Sequence, residues 1–188
     1  LQEGFNHFAT MHILNTRKGT YFIADTAVNP DADKSALVDI ARLADHTVSF
    51  FAQEPVIAML SYSNFGSSNH EEATLVASAV RELHEKYPQV QVDGEMQVEY
   101  ALDTKLRDHT FPFNTLKGKT VNTLVFPNLT AANTATQMLL SMGVGSIIGP
   151  IQMGLKKPVY FTNSNASVRE IIDLVTIAAI DAIALEKK

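Results

Sequence analysis

The sequence predicts an α/β fold of three layers, α/β/α, with a mostly parallel sheet and an antiparallel edge hairpin. Three observations carry this. Val56 to Leu60 is a short, continuous apolar run, the pattern of a strand buried on both faces, and Val121 to Phe126 reads as a further buried strand. Ser35 to Phe51, before the first of them, carries apolar residues at steps of three and four, the pattern of an amphipathic helix, and Glu71 to Tyr87 after it reads as a second helix. The two kinds of segment alternate along the chain, which favours crossover connections and a parallel sheet.

The elements follow in order. Met11 to Leu14 and Thr20 to Ala24 are β-rich runs split by Arg17-Lys18-Gly19, a hairpin with its turn at the glycine. Asn29-Pro30-Asp31 marks a loop, and Asp33 is the expected N-cap of the first helix, whose apolar stripe is Leu37, Ile40, Ala41, Ala44, Val48 and Phe51. Pro55 ends it. After the Val56 strand comes a small polar loop, Ser61 to Ser68, then the Glu71 helix with Ser68 or Asn69 as cap. Val90 to Val92 reads as a short strand ending at Asp93-Gly94, followed by a short helix over Glu95 to Leu102. Pro127 breaks the Val121 strand, and a helix capped by Thr130 runs to about Met142. The apolar run Val144 to Ile148 leads into a Gly/Pro-bounded lip, Gly149 to Pro158, and Val159 to Phe161 reads as a strand leaving it. Ser167 is the expected cap of the last helix. Its apolar residues Ile171, Ile172, Val175, Ala178, Ala179, Ala182 and Ile183 predict cover by more than one neighbour.

Bulk properties exclude several classes. With 188 residues, 46% of them hydrophobic, the chain can bury one sizeable core. A net charge of −5 with scattered Lys and Arg leaves no basic patch for nucleic acid. No apolar run approaches the roughly 20 residues that span a bilayer, and no basic, apolar leader opens the chain. The lack of cysteine excludes disulfides, thiolate metal sites and a cysteine nucleophile; a cytoplasmic setting fits. The chain opens in mid-pattern without Met, so residues 1–188 are expected to be one (sub)domain cut from a longer polypeptide.

Three loops are candidates for ligand contact. Ser61 to Ser68 joins a strand to a helix N-terminus, a place where phosphate or carboxylate binds, although it is not a P-loop and a self-satisfied capping loop reads equally well. Pro127 to Asn133 also follows a strand. The Gly149 lip adds Lys156 and Lys157, suited to an anion or merely solvated. Ligands of such sheets sit beyond the carboxyl ends of strands. Asp93, Glu95 and Glu99 form an acidic group that reads more simply as a turn aspartate, a capping glutamate and a surface glutamate than as a metal or acid–base site. The six histidines show no metal-binding spacing.

Val56 to Ser68, Val92 to Leu102, Val125 to Asn133 and Gly149 to Pro158, in that order and spacing, resemble the phosphate acetyl/butyryl transferase family; Ala24 to Asp31 matches as well. The resemblance implies the isocitrate/isopropylmalate dehydrogenase-like fold of phosphotransacetylases. It also implies a cleft between two α/β subdomains, of which this chain supplies the C-terminal one. The sequence N-F-G-S-S stands where active transferases read T-K-G-S or T-G-T-S, and is similar to the C-terminal, transferase-like domain of NADP-dependent malic enzymes. On this resemblance the effector or CoA-binding set is Ser61, Ser63, Asn64, Gly66, Ser67, Asn128, Asn133, Gly149, Gln152, Gly154, Lys156 and Lys157, with no metal site.

The departure from the family lies after Pro158. An L-S-R-G stretch is replaced, so that Asn163 stands at the serine position, Ser164 at the arginine position and Glu170 at the aspartate position. Without the guanidinium a bidentate phosphate clamp is gone. The implied function is therefore a regulatory and oligomerisation domain that takes acetyl-CoA as allosteric effector and holds no cofactor of its own. NADP and a divalent metal would belong to the absent malic enzyme part. A homodimer through this domain, and a higher oligomer of the full-length enzyme, are expected, with no nucleic-acid or membrane partner. The alternatives are an active phosphate acetyltransferase and an assembly domain without a ligand.

Overall fold

The computed structural model describes residues 1–162, 164 and 166–186, with side chains to residue 184. Its strands are β1 (Ala9–Thr16), β2 (Gly19–Ala24), β3 (Ile57–Leu60), β4 (Val92–Met96), β5 (Thr123–Val125) and β6 (Gly145–Met153). Its helices are α1 (Lys34–Phe50), α2 (Glu71–Lys86), α3 (Val98–Leu102), α4 (Thr104–Thr110), α5 (Leu129–Ser141) and α6 (Val168–Glu186). The strands form one sheet in the order β4-β3-β5-β2-β1-β6. Strands β4, β3, β5 and β2 are mutually parallel; β1 is antiparallel to both its neighbours, so β6 points the same way as the parallel set.

The fold class is the expected one, but the hairpin is not at the sheet edge. Met11 and Ile13 face one core while Thr10 and Leu14 are buried on the other side, so β1 needs a strand on its far side, and β6 supplies it. This changes the reading of the Gly149 lip. Gly149 to Met153 is the second half of β6, and only Gly154 onward turns away. Gly149 is a packing glycine: at φ +139° a Cβ would lie 2.7 Å from His12 Cδ2 and 2.9 Å from the Met11 carbonyl. Val159 to Phe161, expected as a strand, is irregular, because β6 already occupies the edge; Val159 and Phe161 are exposed.

Alternation sorts the strand residues onto two cores. Ile57, Met59, Phe22, Ala24 and Val125 pack beneath α1 and α2; Val56, Ala58, Leu60 and Leu124 pack on the opposite face with Ala101 of α3 and Leu116. Strand β4 breaks the alternation. Val92 belongs to the first core and Met96 to the second, although their even spacing should place them on one face. The register explains it: Met59 pairs with Gly94 and Leu60 with Met96, leaving Glu95 as the extra residue of a bulge. The strand thus continues through Asp93-Gly94, where the sequence predicted its end and a helix start.

Asp33 caps α1, accepting from Ala36 N at 2.8 Å, and Ser167 caps α6, both as expected. The other two caps differ. His70 precedes α2 and makes no side-chain cap bond, because the Ser68 hydroxyl is engaged one residue too early, accepting from His70 N. Asn128, not Thr130, caps α5, because the helix already begins at Leu129. Among the described side chains of α6 only Leu174 and Ile177 are buried; Val168, Ile171, Ile172, Val175, Ile180 and Ile183 are exposed, so among the described residues nothing supplies the expected second neighbour. Among the described residues no helix is long and apolar enough to cross a membrane.

Candidate functional site

Because β2, β5, β3, β4 and β6 all point one way, the loops that follow them share one rim of the sheet. The Ser61 and Pro127 loops lie there as the sequence placed them, and of the Gly149 lip only the part from Gly154 onward joins them, since Gly149 to Met153 belongs to β6. They are not equally close. Strands β3 and β6 are four positions apart, about 19 Å at the usual strand spacing. The Ser61 loop and the Lys156-Lys157 pair therefore stand toward opposite ends of the rim, too far apart to grip one phosphate.

The serine loop is fastened to the end of β4. Glu95, 1% exposed, accepts from Ser63 Oγ at 2.8 Å and from Gly66 N at 2.7 Å through the same oxygen, Oε1. Its carbonyl accepts from Phe65 N at 2.8 Å. Asn64 clasps Gln97 in both directions, accepting from Gln97 N at 2.8 Å and donating to Gln97 Oε1 at 2.6 Å. The remaining amides close internally: Ser63 N on Ser61 Oγ, Asn64 N on Ser67 Oγ, Ser67 N on the Asn64 carbonyl and Ser68 N on Ser63 Oγ. Every N–H from residue 63 to residue 68 therefore has an acceptor within the chain. The loop is not an open amide nest for phosphate; what it turns outward are the exposed Tyr62, Gly66 and Ser67. Glu71 and Glu72 occupy the first turn of α2, so the positive end of that helix already has its counter-charges.

Next to this loop, outside the carboxyl ends of β3 and β5, lies a cavity of about 500 Å³. Its walls include Leu60, Val98, Phe126 and Pro127, with Ser61, Tyr62, Glu72, Gln97 and Glu99 supplying polar groups. No basic side chain lines it. An uncharged or hydrogen-bond-donating group suits it better than a phosphate does. Asn128, placed in the binding set, uses its carbonyl oxygen on Ala131 N (2.9 Å) and its amide on Glu72 (3.3 Å). Asn133 reaches the Thr26 carbonyl at 3.5 Å.

A second cavity, of about 350 Å³, lies between α1, β6 and α6 and is lined by Gln152, Gly154, Lys156, Tyr160, Asp181 and His46 among others. Lys156 and Lys157 are exposed. Tyr160 donates to Asp181 at 3.0 Å, and burial, then the neighbouring carboxylate, pushes its phenol well above the ordinary tyrosine range. Gly154, at φ +85°, is buried against Leu43 and the His7 carbonyl, so it serves packing.

Between the two cavities the sequence reading missed a polar cluster. Asp25, buried at the end of β2, accepts from Thr10 N (2.8 Å), Thr10 Oγ1, Asn29 N (2.8 Å) and Asn29 Nδ2. His12 Nδ1 meets Thr26 Oγ1 at 2.8 Å, and burial, opposed by Asp25, pushes the imidazole down to about 4. It is neutral at pH 7. Gln152 pairs across from Thr10, and both its amide atoms are buried without a partner. The signal available in the sequence was Asp25 at a strand end with Asn29 four residues on.

Of the three degenerate family positions, Asn163 lies outside the described residues. Ser164 is an exposed turn residue. Glu170 is engaged in the cap of α6: its Oε2 accepts from Ser167 N at 2.6 Å while its own N–H donates to Ser167 Oγ at 3.3 Å. The acidic group resolves into three separate roles. Asp93 holds Thr115 N (2.6 Å), Glu95 holds the serine loop, and Glu99 is exposed. Among the described residues no three His, Cys, Asp or Glu side chains converge in a metal-binding arrangement.

Comparison with known proteins agrees with this fold. The profile of the family described as Phosphate acetyl/butaryl transferase matches residues 1–179. The NADP-dependent malic enzyme of Salmonella typhimurium is 38% identical over 182 residues, 96% of this chain and 24% of that enzyme. The phosphate acetyltransferase of Bacillus subtilis is 32% identical over 182 residues, 97% of this chain and 56% of that protein. Among solved structures, a phosphotransacetylase from Streptococcus pyogenes superposes with a TM-score of 0.88 at 28% identity, covering all of this chain and 56% of that one. The EutD phosphotransacetylase from Staphylococcus aureus gives 0.87 at 27% identity over 98% of this chain and 56% of that one. The chain thus spans about a quarter of the malic enzymes and just over half of the transferases it matches.

Proposed function

Since the chain belongs to the phosphate acetyl/butaryl transferase family, we propose that it is the regulatory and assembly domain of an NADP-dependent malic enzyme, binding acetyl-CoA as an allosteric effector without transferring the acetyl group. The observation that carries this reading is the commitment of Glu170. A carboxylate that accepts from Ser167 N, and whose pKa those Ser167 hydrogen bonds pull down, is a poor base for a thiol. With Ser164 where the family places arginine, the phosphoryl oxygens lack their clamp as well.

The rim supports an extended ligand. The partly apolar cavity beside β3, which no basic side chain lines, suits the acyl and pantetheine portion of a CoA ester, and the exposed Lys156 and Lys157 suit its phosphates. The separation that excludes a shared phosphate is compatible with a long molecule lying along the rim. NADP and the divalent metal belong to the malic enzyme part of the protein. The exposed apolar residues of α5 and α6 support a homodimer through this domain, with a higher oligomer of the whole enzyme.

The test is acetyl-CoA titration of the full-length enzyme, following malate-dependent NADP reduction. A saturable change in rate is expected, weakened in the Lys156→Ala/Lys157→Ala double variant, since effector linkage requires differential affinity between two enzyme states. An unchanged rate overturns the reading. Acetyl phosphate formation from acetyl-CoA above a buffer blank favours the second reading, an active phosphate acetyltransferase.

A further inference from the structure

The bulge in β4 has a directional consequence. Had the strand kept its alternation, Glu95 would stand with the side chains of one core face; as the unpaired residue it is turned toward the serine loop instead. The position before it admits only glycine: at φ +145° a Cβ on Gly94 would lie 2.5 Å from the Met59 carbonyl oxygen. The carboxylate so delivered is 1% exposed, and among the described residues no basic side chain pairs with it. Burying an unpaired carboxylate is unfavourable, and packing a hydrocarbon there would cost less. What the carboxylate does is hold two donors from opposite ends of the loop, the Ser63 hydroxyl and the Gly66 N–H, on a single oxygen.

We propose that Glu95 is the positioning residue of the serine loop, fixing the wall of the β3 cavity that receives the acyl-CoA. This rests on the acyl-CoA reading above. Glu95 touches no ligand. Its oxygen closes the loop so that Ser61 and Tyr62 line the cavity in one arrangement, and the ligand then binds without first ordering the loop. The role belongs to the hydrogen-bond acceptor and not to the negative charge, because a neutral carbonyl oxygen at the same place can accept from both donors.

The experiment uses the full-length protein as wild type, Glu95→Gln, Glu95→Ala and Ser63→Ala. Acetyl-CoA affinity is read by calorimetry, and amide exchange over residues 61–68 by mass spectrometry. The glutamine variant is expected to stay within about threefold of wild type, and the alanine variant to lose about tenfold or more, the scale of two lost hydrogen bonds. Exchange in the loop should accelerate in Glu95→Ala while α2 stays protected. Should Glu95→Ala fail to fold, Ser63→Ala removes one of the two donors and is expected to weaken binding by about threefold with the same loop-confined exchange. If wild type binds and the alanine variants bind as tightly, this inference is overturned and the parent reading stands. If Glu95→Gln is as weak as Glu95→Ala, the charge and not the positioning matters, and the inference is equally overturned. Wild type that shows no saturable binding overturns the parent reading and this inference with it.

Discussion

Ser167 and Glu170 cap each other: the Ser167 N–H donates to Glu170 Oε2, and the Glu170 N–H donates to Ser167 Oγ. This is a capping box, satisfying two orphan donors at the start of α6 reciprocally. The Ser167 side-chain bond, then its backbone bond, lowers the Glu170 pKa. A depressed carboxylate stabilises above its unfolded pKa and loses that contribution as pH falls through the folded value. Glu170→Ala removes the carboxylate that the Ser167 N–H donates to and should cost about 0.5–1 kcal/mol at pH 7, and the difference from wild type should shrink in acid as Glu170 protonates. Urea unfolding at pH 7 and pH 3.5 measures both; a pH-independent difference would count against the charged half of the cap.

His12 makes a larger pH effect of the same sign. Its imidazole is pushed down from 6.5 to about 4 by burial, with Asp25 opposing. Stability is therefore complete above the unfolded value of 6.5, falls as pH drops and the unfolded chain takes the proton first, and levels off below about 4. Between pH 7 and pH 5 the loss attributable to His12 is on the order of 2 kcal/mol. His12→Gln, which cannot titrate, should flatten that part of the curve. A His12→Gln protein with the wild-type acid slope would place the titrating group elsewhere.

Arg107 is fully buried and holds the 111–119 loop from within. Nη2 donates to the Leu116 carbonyl at 2.8 Å and the Lys119 carbonyl at 2.7 Å, while Nε reaches Asp108, which in turn accepts from Gly118 N at 2.7 Å. Arg107→Met removes one donor each from two carbonyls and from Asp108, which keep other donors, and should cost about 3 kcal/mol. Arg107→Lys should recover little of this, because an ammonium cannot span the same fork. Denaturant midpoints decide it: a lysine variant as stable as wild type would mean the charge alone suffices.

Much of this molecule was legible in its sequence, and the failures share a cause. Helix α1, its Asp33 cap and the buried β3 run follow from periodicity and one capping residue, which are local. The rim shared by the Ser61 and Pro127 loops follows from alternation of strands and helices. The misplaced hairpin, the strand expected at Val159 and the lip at Gly149 were all decided by which strand takes the edge beside β1, a pairing over more than a hundred residues. Gly149 and Gly94 announced tight backbone without saying whether a ligand or another strand makes it tight; in both cases it is a neighbouring strand. Glu95 read as a capping residue because a bulge changes the direction of a side chain without changing composition. Ser63 and Asn64 read as ligand contacts, whereas their polar groups are engaged within the loop and with β4.

The exposed stripe on α6 yields the prediction that bears on assembly. Val168, Ile172, Val175, Ala179 and Ile183 recur at steps of three and four, so they line one side of the helix, away from the buried Leu174 and Ile177. Val168 is 74% exposed and Val175 62%. Met138 on α5 and Met142 at its C-cap add a second apolar band, exposed at 55% and 71%. Such an area open to water calls for a partner, and in a homodimer the same stripe meets its copy across a two-fold axis. Ile172→Glu/Val175→Glu should halve the sedimenting mass of the unit held by this domain, because two carboxylates per chain would be forced together in a desolvated contact. Both side chains are exposed in the single chain, so its own stability should change by no more than about 0.5 kcal/mol. Unchanged mass at equal stability would show that the stripe lies outside the contact between copies.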